Sequence, residues 1–312
     1  MDTTQLLGPI VLFLLMIIVG LQLTPPDFRR VLSNPRVVVV GTLGQLLLLP
    51  LMTWAVISVL GLSPIFGAGA VILAASPGAG MSNIMTAVAG AHVALSVTLT
   101  AVSSVLAVVT LPALTALGME FFIGDAANVE VPVAYLVRQM ALFLLLPIGM
   151  GMAARAWKGD AALRYVSWAN RIAIIAIILL TFTSALGSQT TLPSGDEFTR
   201  ALLAGSLWTV AAMGIGWGLA TLLKLDADDR FTFLIEFSAR NIALAFIVAV
   251  SSLGRLDLGF FSGAYAATGF PAAIAISVIR GRLRARREPK GNDVQTGQDH
   301  VAAEPPAENV TE

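Results

Sequence analysis

Long apolar runs separated by short polar connections recur through this chain, and that alternation constrains the fold before any single residue is considered. A run of about 17–25 apolar residues, coiled as a helix, crosses a hydrocarbon layer of about 30 Å. About nine such runs can be marked, near residues 6–23, 37–60, 66–89, 93–117, 131–153, 169–187, 200–223, 231–253 and 259–279. With 56% hydrophobic and 12% charged residues in 312, and a mean hydropathy of +0.83, the chain is too apolar for a water-soluble globule of its size. Strand-length alternation is absent, which favours a helical bundle over a barrel. The expected fold is an all-α polytopic membrane protein of about nine transmembrane helices.

Charge sets an expected orientation. Arg29, Arg30 and Arg36 follow the first run, Arg155, Lys158, Arg164 and Arg171 surround the fifth-to-sixth connection, and Lys224 and Arg230 flank the seventh-to-eighth, with Asp226, Asp228 and Asp229 between them. The opposite connections carry Glu120, Asp125 and Glu130, then Asp196 and Glu197. The positive-inside rule then puts the N-terminus outside and the C-terminus in the cytoplasm, in an inner or plasma membrane. The first run has no basic residue before it and no clear cleavage site, and is expected to stay as a span. Arg280, Arg282, Arg284, Arg286, Arg287 and Lys290 would lie against anionic lipid headgroups or act as a stop-transfer anchor. Residues 1–285 are thus expected to form one membrane domain, and 286–312 a basic, then disordered, cytoplasmic tail.

The chemistry available is narrow. There is no cysteine, and only His92 and His300 could supply imidazole, which argues against a thiolate or histidine metal site and against a hydrolase with a nucleophile–base pair. Nothing suggests a nucleic-acid partner.

Within the third run, Ser76 to Asn83 (SPGAGMSN) brings Pro77, Gly78 and Gly80 beside Ser82 and Asn83, and this reads as a broken helix. Beyond it, Ser96 and Thr100 lie one turn apart on one helix face. The eighth run holds Glu236-Phe237-Ser238-Ala239-Arg240-Asn241, the most polar sequence in any apolar run. Charges at bilayer depth usually face a cavity or a partner; Glu236 and Arg240 could alternatively neutralise one another as an i, i+4 pair. Two interrupted helices of opposite direction are the mark of inverted repeats in secondary transporters, with spans one to four and six to nine as the halves. Ser82, Ser96 and Thr100 hydroxyls, the Asn83 amide and the Glu236 carboxylate form an oxygen set suited to a hard cation, although each hydroxyl could simply bond a carbonyl one turn back. Gln45 is a lone amide that could glue helices together or act as a ligand. Gly78, Gly80 and Asn241 could line an anion site at the half-helix N-termini, and the glycines could equally serve close packing.

The strings GLQLTPPDF, LGQLLLLPLMTW, SPGAGMSNIMTAVAGAHVALSVTLTAVSSVLA and IEFSARNIALA resemble the bile acid:sodium symporter family over essentially residues 6–285. The resemblance implies a core domain (spans near 37–60, 66–89, 93–117, 200–223, 231–253 and 259–279) with two crossing discontinuous helices. It also implies a panel domain (6–23, 131–153 and 169–187), a nine-span form and alternating access. It places Ser82, Asn83, Ser96, Thr100 and Glu236 at a first sodium site. Gln45, Glu236 and the backbone around Phe237 and Ala239 would form a second. There the chain departs from the pattern, because the family's glutamine is replaced by Arg240, which offers only donors and stays charged. Either Arg240 stands in for the second sodium ion, or it grips the carboxylate of the substrate with a two-pronged contact. The implied activity is sodium-coupled symport of an organic anion, such as a bile-acid-like or small oxo- or hydroxy-acid carboxylate. Its alternative is a proton-coupled or uniport carrier.

Overall fold

The computed structural model describes residues 3–124, 133–166, 175 and 193–287. They are helical almost throughout, in the order α1 (Thr3–Leu21), α2 (Pro25–Ser33), α3 (Pro35–Leu60), α4 (Pro64–Ala75), α5 (Gly80–Val88), α6 (Val93–Phe122) and α7 (Val133–Lys158). A 3₁₀ turn at Gly159–Tyr165 follows, then α8 (Gly195–Leu222), α9 (Ala227–Ser238), α10 (Ile242–Ser252), α11 (Phe260–Ala267) and α12 (Gly269–Arg287). Among the described residues, five continuous helical segments are long and apolar enough to cross a membrane, beginning at Pro35, Val93, Val133, Gly195 and Asp257. The expected sixth span, 169–187, and most of the tail lie outside the described residues.

Local chemistry explains the boundaries. Pro35 and Pro64 open α3 and α4 at positions where a missing N–H costs nothing. Gly61, at φ +57°, closes α3 in the left-handed conformation that a side chain resists. Ser194 accepts from Glu197 N at 3.2 Å to cap α8, and Asp226 accepts from Asp228 N and Asp229 N to cap α9. α3 and α7 each widen into a π turn, at Gly44–Leu48 and Ala141–Leu145. Each π turn ends two residues before a proline, Pro50 or Pro147, whose ring excludes a normal bond to the carbonyl four residues back.

The third and eighth apolar runs, expected as interrupted helices, are each divided. α4 and α5 are separated by residues 76–79, and α9 and α10 by 239–241. α4 has 12 residues and α5 has 9. At about 1.5 Å per residue neither spans the bilayer alone. α4 is buried on every side from Phe66 to Ala75, against α6, α3 and α11, and is the central element. α8 packs along α9, α11 and α3. α1 and α7 form a separate close pair: a Cβ on Gly20 would collide with the Ile148 backbone, and one on Gly151 with Ile17 and Gly20. This pair touches the rest through α6 and α10.

At one end of the bundle the interrupted helices are clamped together. Asp228 accepts from Arg280 at 2.5 Å and from Arg284 at 2.9 Å, Arg284 also donates to Gly90 O at 2.5 Å, and His92 Nδ1 pairs with Asp229 at 2.7 Å. Burial pushes the Asp228 carboxyl up, but the bonds and charges of Arg284 and Arg280 outweigh it and hold the group below its ordinary value.

A crossing of two helix breaks

The two breaks pair with each other. Gly78 and Arg240 form an isolated antiparallel bridge, and Asn241 N donates to Pro77 O at 3.0 Å. Each break exposes orphan backbone groups, and a buried orphan is costly. The crossing therefore stands or falls on how those groups are satisfied.

Under the crossing lies a buried cluster of side-chain oxygens. All five residues expected at the first sodium site meet here: Ser82 and Asn83 from α5, Ser96 and Thr100 from α6, and Glu236 from α9. Glu236 is 0% exposed. Its Oε2 accepts from Thr100 Oγ1 at 3.0 Å, and its Oε1 accepts from Ser96 Oγ. Ser96 Oγ also lies 2.8 Å from Asn83 Oδ1, so its one proton serves either oxygen. Ser82 Oγ gives its proton to Ala79 O at 2.7 Å and approaches Thr100 Oγ1 at 3.4 Å. Thr86 Oγ1 reaches Ser96 Oγ at 3.4 Å and was not anticipated from the sequence. The cluster has more oxygens than protons to share among them, which is the chemistry a hard cation meets. Gly78 roofs it: a Cβ there would stand 2.7 Å from Glu236 Oε2 and 2.9 Å from Thr100 Oγ1.

Arg240, 1% exposed, lies in the second break, just past the end of α9, among a different set of oxygens. Its Nη1 donates to Gln45 Oε1 at 2.9 Å and to the backbone oxygen of Glu236 at 3.3 Å. Its Nη2 donates to Ala74 O at 3.2 Å and to Ser76 O. The guanidinium thus bonds the main chain of Glu236 and not its carboxylate, so the two charges share the crossing without a direct i, i+4 ion-pair contact. Both terminal nitrogens are committed to protein oxygens, which leaves no fork for a two-pronged grip on a ligand. Gln45 is fully buried and sits in the π turn of α3. Arg240 Nε and Gln45 Nε2 are buried without a hydrogen bond.

The remaining expected residues divide. Asn241 caps α10 by accepting from Leu244 N at 3.0 Å. Gly80 begins α5 next to Gln22, whose amide a Cβ on Gly80 would strike. Ala79, the N-cap of α5, makes no side-chain cap. Sequence reasoning missed Tyr265 on α11. Its hydroxyl accepts from Arg240 N at 3.2 Å and donates to Ser238 O at 2.5 Å, pinning both ends of the second break. A phenol in an otherwise apolar run was the available signal.

Two interrupted helices crossing over buried polar groups, within an all-helical polytopic bundle, is the architecture that secondary transporters use for binding sites at the membrane midplane. The model of the Sodium Bile acid symporter family matches residues 9–192, and the chain belongs to that family. It is 31% identical over 238 residues to a probable sodium/metabolite cotransporter, BASS2, chloroplastic, of Oryza sativa subsp. japonica, covering 75% of this chain and 54% of that protein. It is 27% identical over 242 residues to the P3 protein of Bos taurus, covering 76% and 49%. With the uncharacterized sodium-dependent transporter YocS of Bacillus subtilis (strain 168) it shares 26% identity over 253 residues, covering 80% and 75%. The chain spans about half the length of the rice and bovine relatives.

Proposed function

We propose that this chain is a sodium-coupled symporter of a carboxylated organic anion. Ser82, Asn83, Ser96, Thr100 and Glu236 are the ligands of one sodium ion, and Arg240 stands where a second would be held. The observation that carries the reading is the convergence of four neutral oxygen side chains from α5 and α6 on the buried Glu236 carboxylate. A hydroxyl has two lone pairs besides its proton, so the same atoms that donate to the carboxylate can turn and face a cation.

Arg240 takes the role of the second ion because its guanidinium is bonded to Gln45 Oε1 and Glu236 O, oxygens that would otherwise face that ion. The anion sits at the crossing, against the uncapped N-terminus of α5 and beside Asn241, where free N–H groups and the positive helix ends favour it. α1 and α7 belong to the panel, and α3–α6 with α8–α12 to the core that moves against it. The N-terminus lies outside and the basic end of α12 in the cytoplasm, against lipid headgroups. The relatives' names, sodium/metabolite cotransporter and sodium-dependent transporter, support the coupling ion.

Sodium titration of uptake into proteoliposomes tests the proposal, with bile acids and small oxo-acids as probes. The expected dependence is hyperbolic with a Hill coefficient near one. Glu236→Gln should weaken apparent sodium affinity by at least ~10-fold, since a bond to a charged group contributes about 1.5–3 kcal/mol. A Hill coefficient near two would remove Arg240 from its assigned role. Uptake indifferent to sodium would overturn symport in favour of proton coupling or uniport.

A further inference from the structure

We propose that Arg240 keeps the moving core electrically neutral both when empty and when fully loaded, so that each cycle carries one monovalent carboxylate with one sodium ion and no net charge. The inference rests on the sodium-symport reading above and adds to it the charge of the substrate and the electrical character of the cycle.

Among the described residues, three charged side chains are buried: Asp27, Glu236 and Arg240. Asp27 belongs to the turn that opens α2, where its carboxylate accepts from Thr24 N at 2.8 Å and Thr24 Oγ1 at 2.6 Å. The crossing itself therefore holds one negative and one positive group. Arginine does not lose its proton inside a protein, and this one is held by oxygens from α3, from the end of α4 and from α9. Its charge is a permanent part of the core.

The possible states follow by addition. Empty, the crossing carries Glu236 and Arg240 and sums to zero. With one sodium ion alone it is +1, and with one monovalent anion alone it is −1. With both it is zero again. Net charge at bilayer depth is opposed by desolvation. The empty and fully loaded cores therefore cross readily, while each half-loaded core carries a full unpaired charge. Coupling follows from this electrostatic asymmetry, because neither ligand travels well without the other. With a glutamine at 240 the empty core would be −1. Two sodium ions and one monovalent anion would then neutralise it, and each cycle would move one positive charge. A dicarboxylate would leave the loaded core of this chain at −1, so the substrate class is monocarboxylate.

The full chain in proteoliposomes decides the matter, with cholate and 2-oxobutyrate as monocarboxylate probes and 2-oxoglutarate as a dicarboxylate. Accumulation is measured under a fixed sodium gradient at zero potential and at a potassium diffusion potential of about −100 mV, inside negative. The expected result is sodium-driven monocarboxylate accumulation that changes less than about twofold with potential, and a labelled sodium-to-substrate ratio near one. One net charge per cycle would raise accumulation about 50-fold per 100 mV, and that response would overturn the inference while leaving symport intact. Preference for 2-oxoglutarate would overturn the substrate class. Failure of sodium to drive any probe would instead overturn the symport reading beneath it. Arg240→Gln should acquire potential dependence and a steeper sodium dependence, whereas Arg240→Lys, which retains the charge, should stay indifferent to potential. An Arg240→Gln protein that transports but remains indifferent to potential would show that Arg240 is not the cause. If neither variant folds, the wild-type response to potential still decides.

Discussion

The two helix breaks meet in one bridge but are made differently. The first, residues 76–79, is written in backbone chemistry: Pro77 has no N–H, Gly78 admits the carboxylate cluster beneath it, and Ala79 leaves the N-terminus of α5 without a side-chain cap. The second, residues 239–241, contains neither proline nor glycine. It is held open by side chains: Asn241 caps α10, and Tyr265 bonds to the backbone on both sides. The second break also completes the first. Arg240 supplies the donors for Ala74 O and Ser76 O, placing a cation at the negative end of α4. One break thus provides an open end and the other provides the groups that hold both.

The sharpest way to break this comparison is Arg240→Ala. It strips the donors from the end of α4 and leaves Glu236 as the only buried charge at the crossing, at an expected cost of about 3–5 kcal/mol. Thermal inactivation of the purified protein in detergent should fall accordingly, and an unchanged midpoint would mean that the first break does not depend on the second. Tyr265→Phe removes the hydroxyl that pins the second break and should cost about 1–3 kcal/mol, measured in the same way, with little effect on sodium affinity. Asn241→Ala loses the cap of α10 at about 1 kcal/mol. Its mirror image, Ala79→Asn, should add a cap to α5 and stabilise by about 0.5–1 kcal/mol while raising the apparent KM for the proposed anion. An unchanged KM would show that the uncapped end is not used for binding.

The smallest effect concerns the far clamp. Asp228 is held below its ordinary carboxyl value, so its contribution is present at neutral pH and is lost as pH falls through that lowered value. Asp228→Asn should cost less than about 1 kcal/mol and flatten that part of the acid stability profile.

Legibility in the sequence followed the same division. The first break could be read from Pro77, Gly78 and Gly80, since breakers act through their own backbone. The second could be suspected only from the polarity of Glu236 to Asn241, because its geometry comes from Tyr265, more than twenty residues away. The five oxygen-bearing residues were legible as types. Their convergence was not, since α5, α6 and α9 meet only through packing of three separate segments. Gln45 stands out in the sequence as an isolated amide, but the bond that explains it reaches Arg240, 195 residues further along the chain.

By itself, then, the sequence determined that the chain is a helical membrane protein, where its first helix must break and which side chains could serve a cation, because hydropathy, proline and residue chemistry are local properties. Only the tertiary structure decided that Arg240 faces carbonyls and Gln45 instead of the Glu236 carboxylate or a ligand. The direction of a long buried side chain is set by whichever unsatisfied groups its neighbours leave within reach, and those neighbours come from other helices.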